Sequence, residues 1–483
     1  MNYKMVFGTV GTIMRIEALL MLVPLITALI YREAGTAVAF GITVAAAFIF
    51  SLLLSYLCRT KNQTIYAKDG FAIVSLAWII LSAVGALPFV ISGDITSYAD
   101  AFFETASGFT TTGASILRDV ESMSYGCLMW RSFTHWVGGM GVLVFVMAFI
   151  PNLADRSIHI MRAEVPGPVV GKLVPRIRDT AKVLYIIYAA MTAVQVVLLL
   201  VGGNTLFDSI VHSLGTAGTG GFGIKGDSLA GYSAYTQWVT AIFMLMFGIN
   251  FNLYYLILMR KAKSAVRSTD LWTYIGIGGV SIILITANLR GLYPTLSETV
   301  RHAVFQVASI ITTTGYSTVD FNLWPGFSKA VLLILMFIGG CAGSTAGGLK
   351  ISRVVILFKT IVREVKQTIS PRSVSVINYE GKELEKRTVS AVAVYFALYI
   401  FCILAVFLVI SFEPFDLETN FSVAVSCFNN IGPAFGAAGP MASYADYSAF
   451  SKVFLAFAML FGRLEIFPML IFFNPRTWAS SQR

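Results

Sequence analysis

Charged residues are scarce in this chain. They make up 12% of its 483 residues, whereas soluble domains carry about 25%. Hydrophobic residues make up 57% of the sequence, so a water-soluble fold would have too little polar material to cover its surface. This composition excludes an ordinary soluble enzyme, a disordered protein and a nucleic-acid-binding domain.

Cysteine and histidine are too few and too scattered to indicate a metal centre. The chain has five cysteines and four histidines, and no C-x-x-C pair occurs. Neither a disulfide framework nor a zinc cluster is therefore expected, and the cysteines are interpreted as small buried hydrophobes. A membrane-embedded enzyme would need a paired base and nucleophile or a metal cluster, and the sequence offers neither.

Long apolar runs are what the chain has in abundance. A helix needs about 20 apolar residues to cross a bilayer, and ten segments qualify. They are 5–30, 36–57, 71–92, 132–151, 182–202, 234–259, 271–290, 327–358, 389–412 and 450–473. Four shorter apolar stretches each end in a Gly-rich segment, at 98–111, 205–217, 296–312 and 417–429. Irregular backbone at membrane depth is tolerated where it lines protein or a watery cavity, so these four are predicted to be re-entrant half-helices.

The basic residues indicate the topology. Five connecting segments hold 24 of the 35 Lys and Arg residues, and all five fall on one side if the spans alternate. They are 59–69, 152–182, 260–267, 350–387 and 475–483. Because cytoplasmic loops are enriched in Lys and Arg, the chain is predicted to be a multi-pass plasma-membrane protein in contact with membrane lipid. The half-helices then enter from the opposite side.

The order span, half-helix, glycine turn, span occurs four times after the first two helices. The predicted fold class is an all-α polytopic membrane protein, with two N-terminal helices plus four helix–pore-loop–helix repeats around a pseudo-fourfold pore. Parallel repeats of this kind are a known transporter arrangement. The predicted units are the N-terminal two-helix segment 1–68 and the pore repeats 69–160, 161–267, 268–375 and 376–483.

The four turns after the half-helices are rich in glycine and threonine. They span Thr110–Ala114, Gly218–Phe222, Thr312–Tyr316 and Asn429–Pro433, with Gly113, Gly220, Gly315 and Gly432 as the corresponding glycines. Glycine allows positive φ, so that successive carbonyl oxygens can point the same way and replace the hydration shell of a cation. Each half-helix also directs the negative end of its dipole at the turn. The pattern favours a carbonyl-lined cation filter, and the alternative is a set of small-residue surfaces for helix packing.

Small residues also interrupt the eighth span. The segment 339–348 would bend or unwind a helix, which favours an intramembrane loop beneath the filter, with alternative positions close in energy; the alternative is a face for close helix packing. The predicted gating residues of this loop are Gly339, Gly340, Gly343, Ser344, Thr345, Ala346, Gly347 and Gly348. Arg463, deep in the tenth span, is expected either to face the aqueous pore or to form a structural ion pair with an acid other than Glu465.

The turns carry a family resemblance. Thr-Thr-Thr-Gly-Ala-Ser at 110–115, Gly-Thr-Gly-Gly-Phe-Gly at 218–223 and Thr-Thr-Thr-Gly-Tyr-Ser at 312–317 resemble the pore loops of the Trk/Ktr/HKT potassium transporter superfamily. The length and the two extra N-terminal helices are most similar to its bacterial TrkH group. The resemblance implies that K⁺ is the transported ion and that the filter residues are Thr111, Thr112, Gly113, Gly218, Thr219, Gly220, Thr313, Thr314, Gly315, Asn430, Ile431 and Gly432.

The same resemblance implies further properties. A gating loop lies in the helix that corresponds to the eighth span, and an arginine corresponding to Arg463 lies at the pore constriction. Members of the group form homodimers in the bacterial inner membrane and bind a TrkA-like cytosolic nucleotide-binding regulatory subunit. No bound organic cofactor is expected. The fourth turn departs from the family pattern, because Asn430 and Ile431 stand where threonines are usual.

Two functional alternatives remain open on the sequence. The first hypothesis is potassium uptake by channel-like permeation, and the second is a cation symporter that couples K⁺ to H⁺ or Na⁺. The second would need intramembrane acids, for which Glu17 and Glu465 are the candidates. The basic segment 350–387 is interpreted either as a solvated loop near anionic lipid or as a docking surface for a soluble regulator.

Overall fold

The computed structural model describes residues 1–60, 67–141, 177–372 and 375–478. The predicted fold class is confirmed, with two N-terminal helical spans followed by four repeats. The first span consists of α1 (Tyr3–Leu20) and α2 (Leu22–Ile30), and the second is α3 (Ala34–Leu57). Both pack against the first repeat, α1 on α4 and α3 on α5.

Each repeat contains a long helix, a short half-helix and a returning helix. The first repeat has α4 (Ala67–Gly85), α5 (Leu87–Ser92), α6 (Tyr98–Phe109) and α7 (Tyr125–Gly139). The second has α8 (Ile177–Val201), α9 (Leu206–Gly218), α10 (Ala234–Phe247), α11 (Phe251–Leu258) and the short α12 (Ala262–Val266). The third has α13 (Thr269–Asn288), α14 (Leu296–Ile311), α15 (Gly326–Ile338) and α16 (Ile351–Ile369). The fourth has α17 (Lys386–Ile410), α18 (Leu417–Phe428), α19 (Ala449–Arg463), α20 (Phe467–Phe473) and α21 (Pro475–Trp478).

A small β-hairpin joins the third and fourth repeats, within the basic segment 350–387 that is predicted to be cytoplasmic. Its strands β1 (Asn378–Tyr379) and β2 (Lys382–Glu383) are antiparallel. The Glu380 carboxylate at the tip accepts hydrogen bonds from Ser268 Oγ (3.0 Å) and from the main-chain N–H of Asp270 (3.1 Å). The hairpin is therefore fixed to the start of α13.

Side-chain caps set where the half-helices begin. Ser97, Thr205, Thr295 and Asp416 each accept a hydrogen bond from the main-chain N–H three residues later. The first three are followed at that third position by an acidic residue, which also suits the positive end of the helix dipole. This S/T-x-x-D/E pattern is a sequence signal that locates the half-helices independently of hydropathy.

Several of the ten predicted spans are not continuous helices. Six helical segments within the described residues are long and apolar enough to cross a membrane: Tyr3–Ile30, Ala34–Leu57, Lys68–Ser92, Ala181–Val201, Thr269–Asn288 and Lys386–Ile410. The predicted continuous span 234–259 is wrong, because α10 and α11 meet at 90°. The predicted span 132–151 lies partly outside the described residues.

Local chemistry accounts for two of these breaks. Asn250 caps α11 by accepting from Asn252 N (2.9 Å), and Gly248 before it packs against Thr312 and Tyr274 without room for a side chain. The predicted continuous span 450–473 is also wrong. Glu465 and Ile466 have φ of 59° and 63° between α19 and α20, and this left-handed conformation ends a right-handed helix.

Candidate cation site

The four turns share one backbone conformation. The second residue of each has positive φ, with values of 55° at Thr111, 56° at Thr219, 54° at Thr313 and 57° at Asn430. A glycine two positions later also has positive φ, with values of 80° at Gly113, 73° at Gly221, 88° at Gly315 and 103° at Gly432. The residue between them does not, so the four turns share the same alternation of backbone conformation.

The conformation corrects the register of the second turn. The structural equivalent of Gly113 is Gly221, and not Gly220 as the sequence alignment assumed. Gly220 corresponds to Thr112, and Gly218 corresponds to Thr110, the first residue of the first turn. The second turn has three glycines among four residues, so its sequence does not show which glycine matches Gly113. The backbone dihedral angles identify Gly221 as the match.

The turns contact one another in a closed ring. A Cβ added at Gly113 would lie 1.9 Å from the carbonyl oxygen of Gly220, and one at Gly221 would lie 2.0 Å from that of Thr314. The same holds for Gly315 and the Ile431 oxygen (2.2 Å), and for Gly432 and the Thr112 oxygen (2.6 Å). Each repeat thus places its glycine against the next repeat's carbonyl, and the fourth returns to the first.

Side chains behind the ring hold two of the turns. In the first, the hydroxyls of Thr110 and Thr112 are 2.8 Å apart, and Thr110 Oγ1 donates to the Ala106 carbonyl (2.6 Å). In the third, the hydroxyls of Thr312 and Thr314 are 2.7 Å apart in the same arrangement. These threonines are fully buried. Each pair therefore fixes its turn on its own half-helix.

The fourth turn is held differently. The Asn430 amide donates to Thr112 Oγ1 (3.0 Å) and to the Met459 carbonyl (2.9 Å), so it joins the fourth turn to the first and to α19. Tyr444 Oη donates to the Gly432 carbonyl (2.6 Å). The departure from the threonine pattern is therefore compensated by one bond to the first repeat and two bonds within the fourth.

A buried ion pair stiffens the first turn on its outer side. Arg131 Nε donates to Glu104 (2.8 Å), and both side chains are almost completely buried. Glu104 also accepts from Ser115 Oγ and Ile116 N, both at 2.9 Å, and Arg131 Nη1 donates to the Gly223 carbonyl (3.1 Å). The pair thus connects the segments that follow the first and second turns, and its additional hydrogen bonds offset the cost of burying two charges.

The intramembrane loop 339–348 lies directly against the inner ends of two turns. The Gly347 N–H donates to Thr313 Oγ1 (2.6 Å), and a Cβ on Gly347 would lie 2.4 Å from the Asn429 carbonyl oxygen. All eight predicted gating residues of the loop fall between α15 and α16. The loop is therefore positioned beneath the ring, on the side opposite to where the half-helices enter.

The loop is anchored more firmly than the sequence suggested. Cys341 N donates to the Gly248 carbonyl (3.0 Å), and Phe251 N donates to the Gly343 carbonyl (3.0 Å). Thr345 Oγ1 donates to the Phe247 carbonyl (3.3 Å). These bonds form because the bend between α10 and α11 leaves main-chain groups free to bond with the loop.

Arg463 binds main-chain carbonyl groups. Its Nη1 donates to the carbonyl of Thr345 in the loop (2.9 Å), and its Nη2 donates to those of Gly138 and Gly139 (both 2.6 Å). The latter two carbonyls end α7, where a cation is favoured by the helix dipole. Arg463 therefore joins the loop, the end of α7 and the end of α19 at one point.

Arg353, which lies in α16 after the loop, pairs with an acidic residue. Arg353 binds Glu465 in a bidentate arrangement, with Nη1 at 3.2 Å from Oε1 and Nη2 in contact with Oε2. The Arg353 guanidinium also lies 4.0 Å from the centre of the Tyr395 ring. Glu465 is thus engaged by Arg353, and α16 is tied to the break between α19 and α20.

Sequence reasoning missed His135. The four histidines do not have the spacing of metal ligands, but the ring of His135 lies against the second turn. The signal that could have found it is the absence of a threonine pair from that turn. Arg131 and Glu104 were also missed as a pair, although both are charges within apolar helices.

Comparison with known proteins agrees with this architecture. The family model TrkH, described as a cation transport protein, matches residues 37–275 and 283–480. The Trk system potassium uptake protein TrkH of Salmonella typhimurium is 36% identical over 485 residues, which cover 99% of this chain and 100% of that protein. The Trk system potassium uptake protein TrkG of Escherichia coli K12 is 33% identical, with 99% of both chains covered. The crystal structure of the potassium transporter TrkH from Vibrio parahaemolyticus matches with a TM-score of 0.89 and 32% identity, covering 99% of this chain and 100% of that one.

The relatives are bacterial uptake proteins, and the apolar helices of this chain are arranged as in the solved relative. The chain is a multi-pass protein of the bacterial inner membrane. It belongs to the TrkH family of cation transport proteins.

Proposed function

We propose that this chain takes up potassium through a selectivity filter formed by the four turns, with channel-like permeation. The observation that carries the proposal is the closed ring of glycine–carbonyl contacts from Gly113 to Gly432. Four equivalent turns around one axis surround a cation with carbonyl oxygens, which replace its hydration shell without placing a full charge in the pore. The C-terminal ends of the four half-helices add partial negative charge at the same place.

The filter residues follow the corrected register. The proposed K⁺ ligands are main-chain oxygens of Thr111, Thr112, Gly113, Thr219, Gly220, Gly221, Thr313, Thr314, Gly315, Asn430, Ile431 and Gly432. Gly218 lies at the end of its half-helix and takes the place of Thr110. The glycines are required because a side chain at any of the four would collide with the next repeat's carbonyl.

The intramembrane loop 339–348 and Arg463 form the proposed gate. The loop lies below Thr313, so that an ion leaving the filter meets it next. The Arg463 guanidinium holds the loop through the Thr345 carbonyl and places a positive charge on the path of a cation. Opening then requires the loop to exchange its bonds with Thr313, Gly248 and Arg463.

One observation favours the second candidate, a cation symporter. Glu17 is buried beside Gly85, and neither of its carboxylate oxygens has a hydrogen-bond partner among the described residues. A carboxyl group in such a place is a candidate for carrying a proton. The other candidate acid, Glu465, is held by Arg353. Permeation without coupling therefore remains the first proposal.

The remaining assignments are proposals on the same basis. The units 1–68, 69–160, 161–267, 268–375 and 376–483 follow the repeats, and the chain is proposed to form a homodimer.

A cytosolic nucleotide-binding subunit is proposed to dock on the basic cytoplasmic surface, where the hairpin at Glu380 contacts α13. The reaction is transport, with no bond made or broken in a substrate.

Uptake of tracer Rb⁺ into K⁺-loaded liposomes tests the proposed function. An outward K⁺ gradient alone should drive the tracer inward through the purified protein, and external Na⁺ in excess should compete poorly. Liposomes without protein serve as the control. Uptake that appears only when an H⁺ or Na⁺ gradient is imposed would favour the symporter, and equal permeation of Na⁺ would contradict the filter.

A further inference from the structure

The second turn lacks the side chains that hold the first and third. Those turns each have two threonines whose hydroxyls bond to one another, Thr110 with Thr112 and Thr312 with Thr314. The equivalent positions of the second turn are Gly218 and Gly220, so that this turn cannot make the bond. Its support must come from elsewhere in the chain.

The ring of His135 occupies the empty place. A Cβ on Gly220 would lie 2.2 Å from His135 Nδ1, 2.3 Å from Cγ and 2.5 Å from Cε1. A Cβ on Gly218 would lie 2.2 Å from the main-chain oxygen of the same histidine. Gly220 is therefore required by the His135 side chain, and Gly218 by the main chain of α7, which belongs to the preceding repeat.

The imidazole makes two hydrogen bonds with distinct roles. Its Nδ1 lies 2.8 Å from the Gly108 carbonyl oxygen at the end of the first half-helix, and the Phe222 N–H donates to its Nε2 at 3.3 Å. A carbonyl only accepts and an N–H only donates, so the network assigns the neutral tautomer with the proton on Nδ1. The ring is fully buried and lies on the Phe222 ring, with centroids 4.3 Å apart.

We propose that His135 is a positioning residue for ion selectivity, which sets the distance between the first and second filter turns. Its two bonds join the first half-helix to the residue that follows Gly221. The inference rests on the proposed filter and deepens it. If His135 only filled space, its shape and not its hydrogen bonds would matter. Its replacement would then affect folding and leave ion selectivity unchanged.

Paired substitutions separate the two roles. His135→Gln can keep both bonds, because an amide N–H can donate to Gly108 and the amide oxygen can accept from Phe222 N. His135→Leu fills similar space and makes neither bond. His302→Leu is the matched control, since His302 also lies beside a half-helix turn, where its Nδ1 is 2.9 Å from Thr318 Oγ1.

The measurement is the ratio of K⁺ to Na⁺ flux in liposomes, with folding followed by size exclusion and thermal unfolding. His135→Gln should keep the parent's ratio within about twofold, and His135→Leu should lower it about tenfold, the scale of one lost buried hydrogen bond. His302→Leu should leave the ratio unchanged. Gly220→Ala displaces the His135 ring without removing it, so this variant should also lower the ratio of K⁺ to Na⁺ flux. It provides the test if His135→Leu fails to fold.

Two results would overturn the inference. The first is a folded His135→Leu protein, or a folded Gly220→Ala protein, with the parent's ratio. The second is an equal loss in His135→Gln and His135→Leu, which would show that the bonds are not what matters. A parent protein without preference for K⁺ would instead overturn the proposed filter, and the inference with it.

Discussion

Arg463 and Thr345 are 118 positions apart in the chain, and the guanidinium of the first donates to the main-chain carbonyl of the second at 2.9 Å. The same guanidinium reaches Gly138 and Gly139 at 2.6 Å. A single side chain thus connects an intramembrane loop to the ends of two helices from other repeats. Movement of the loop changes the surroundings of all three elements together.

Removing that side chain should increase the resting K⁺ flux. Arg463→Ala leaves the Thr345 carbonyl without this donor and removes a positive charge from the proposed path of the ion, so we expect both the anchorage of the loop and the electrostatic barrier to decrease. Arg463→Lys keeps the charge with fewer donors and should leak less than Arg463→Ala. Flux in liposomes without a regulatory partner measures the effect.

The control for this change is Arg290→Ala, at an exposed arginine after α13. It should behave as the parent. A folded Arg463→Ala protein that leaks no more than Arg290→Ala would place the barrier elsewhere and leave Arg463 a purely structural role.

Shortening the loop should open the path without changing ion preference. Deletion of 343–346 removes the Gly343 carbonyl that accepts from Phe251 and the Thr345 groups that bond to Phe247 and Arg463. The filter carbonyls remain, so the K⁺ to Na⁺ ratio should stay near that of the parent while resting flux rises. Loss of selectivity together with the rise would indicate that the loop supports the filter and does not only block it.

Gly113 should tolerate no side chain. Alanine there strains a φ of 80° and brings a Cβ to 1.9 Å from the Gly220 oxygen. Gly93→Ala is the matched control, because Gly93 has a φ of 86° with no atom within 4 Å of the added Cβ. Both variants carry the strain of a side chain at positive φ, about 1–2 kcal/mol. K⁺ selectivity should fall in Gly113→Ala alone, and equal selectivity in the two would remove Gly113 from the filter.

Arg353 and Glu465 should show strong coupling in stability. Removing one partner leaves the other partly buried and unpaired, which costs about 3 kcal/mol in a buried pair. Arg353→Met and Glu465→Gln should each lower the unfolding temperature in detergent, and the double variant should lose less than the sum of the two. Additive losses would mean that the two groups do not stabilise one another.

Charge reversal on the cytoplasmic surface should weaken binding of a regulatory subunit. Arg372 is exposed before the hairpin and Lys382 is exposed in its strand β2. Arg372→Glu with Lys382→Glu would repel an acidic partner surface, and salt would screen this repulsion. Co-purification with a nucleotide-binding partner at two ionic strengths measures this. Arg290→Glu on the opposite side should not change binding, and nucleotide control of the purified chain without a partner would contradict the prediction.

The sequence by itself determined the elements whose causes are local. Apolar length predicted the six helical segments of the described residues that are long enough to cross a membrane, because main-chain groups in lipid must be bonded within a helix. A glycine after each short stretch located the turns, since residues such as Gly113 are needed for positive φ. The four half-helices lie within two residues of their predicted ends.

The tertiary structure decided what depends on distant partners. The register of the second turn required the backbone at Gly221, and the partners of Arg463 lie up to 325 positions away. The role of His135 follows from the space at Gly220, which belongs to another repeat. Periodicity and composition report whether a single segment faces lipid, water or protein. The contacts between distant residues arise only when the four repeats close into a ring and bring their turns together.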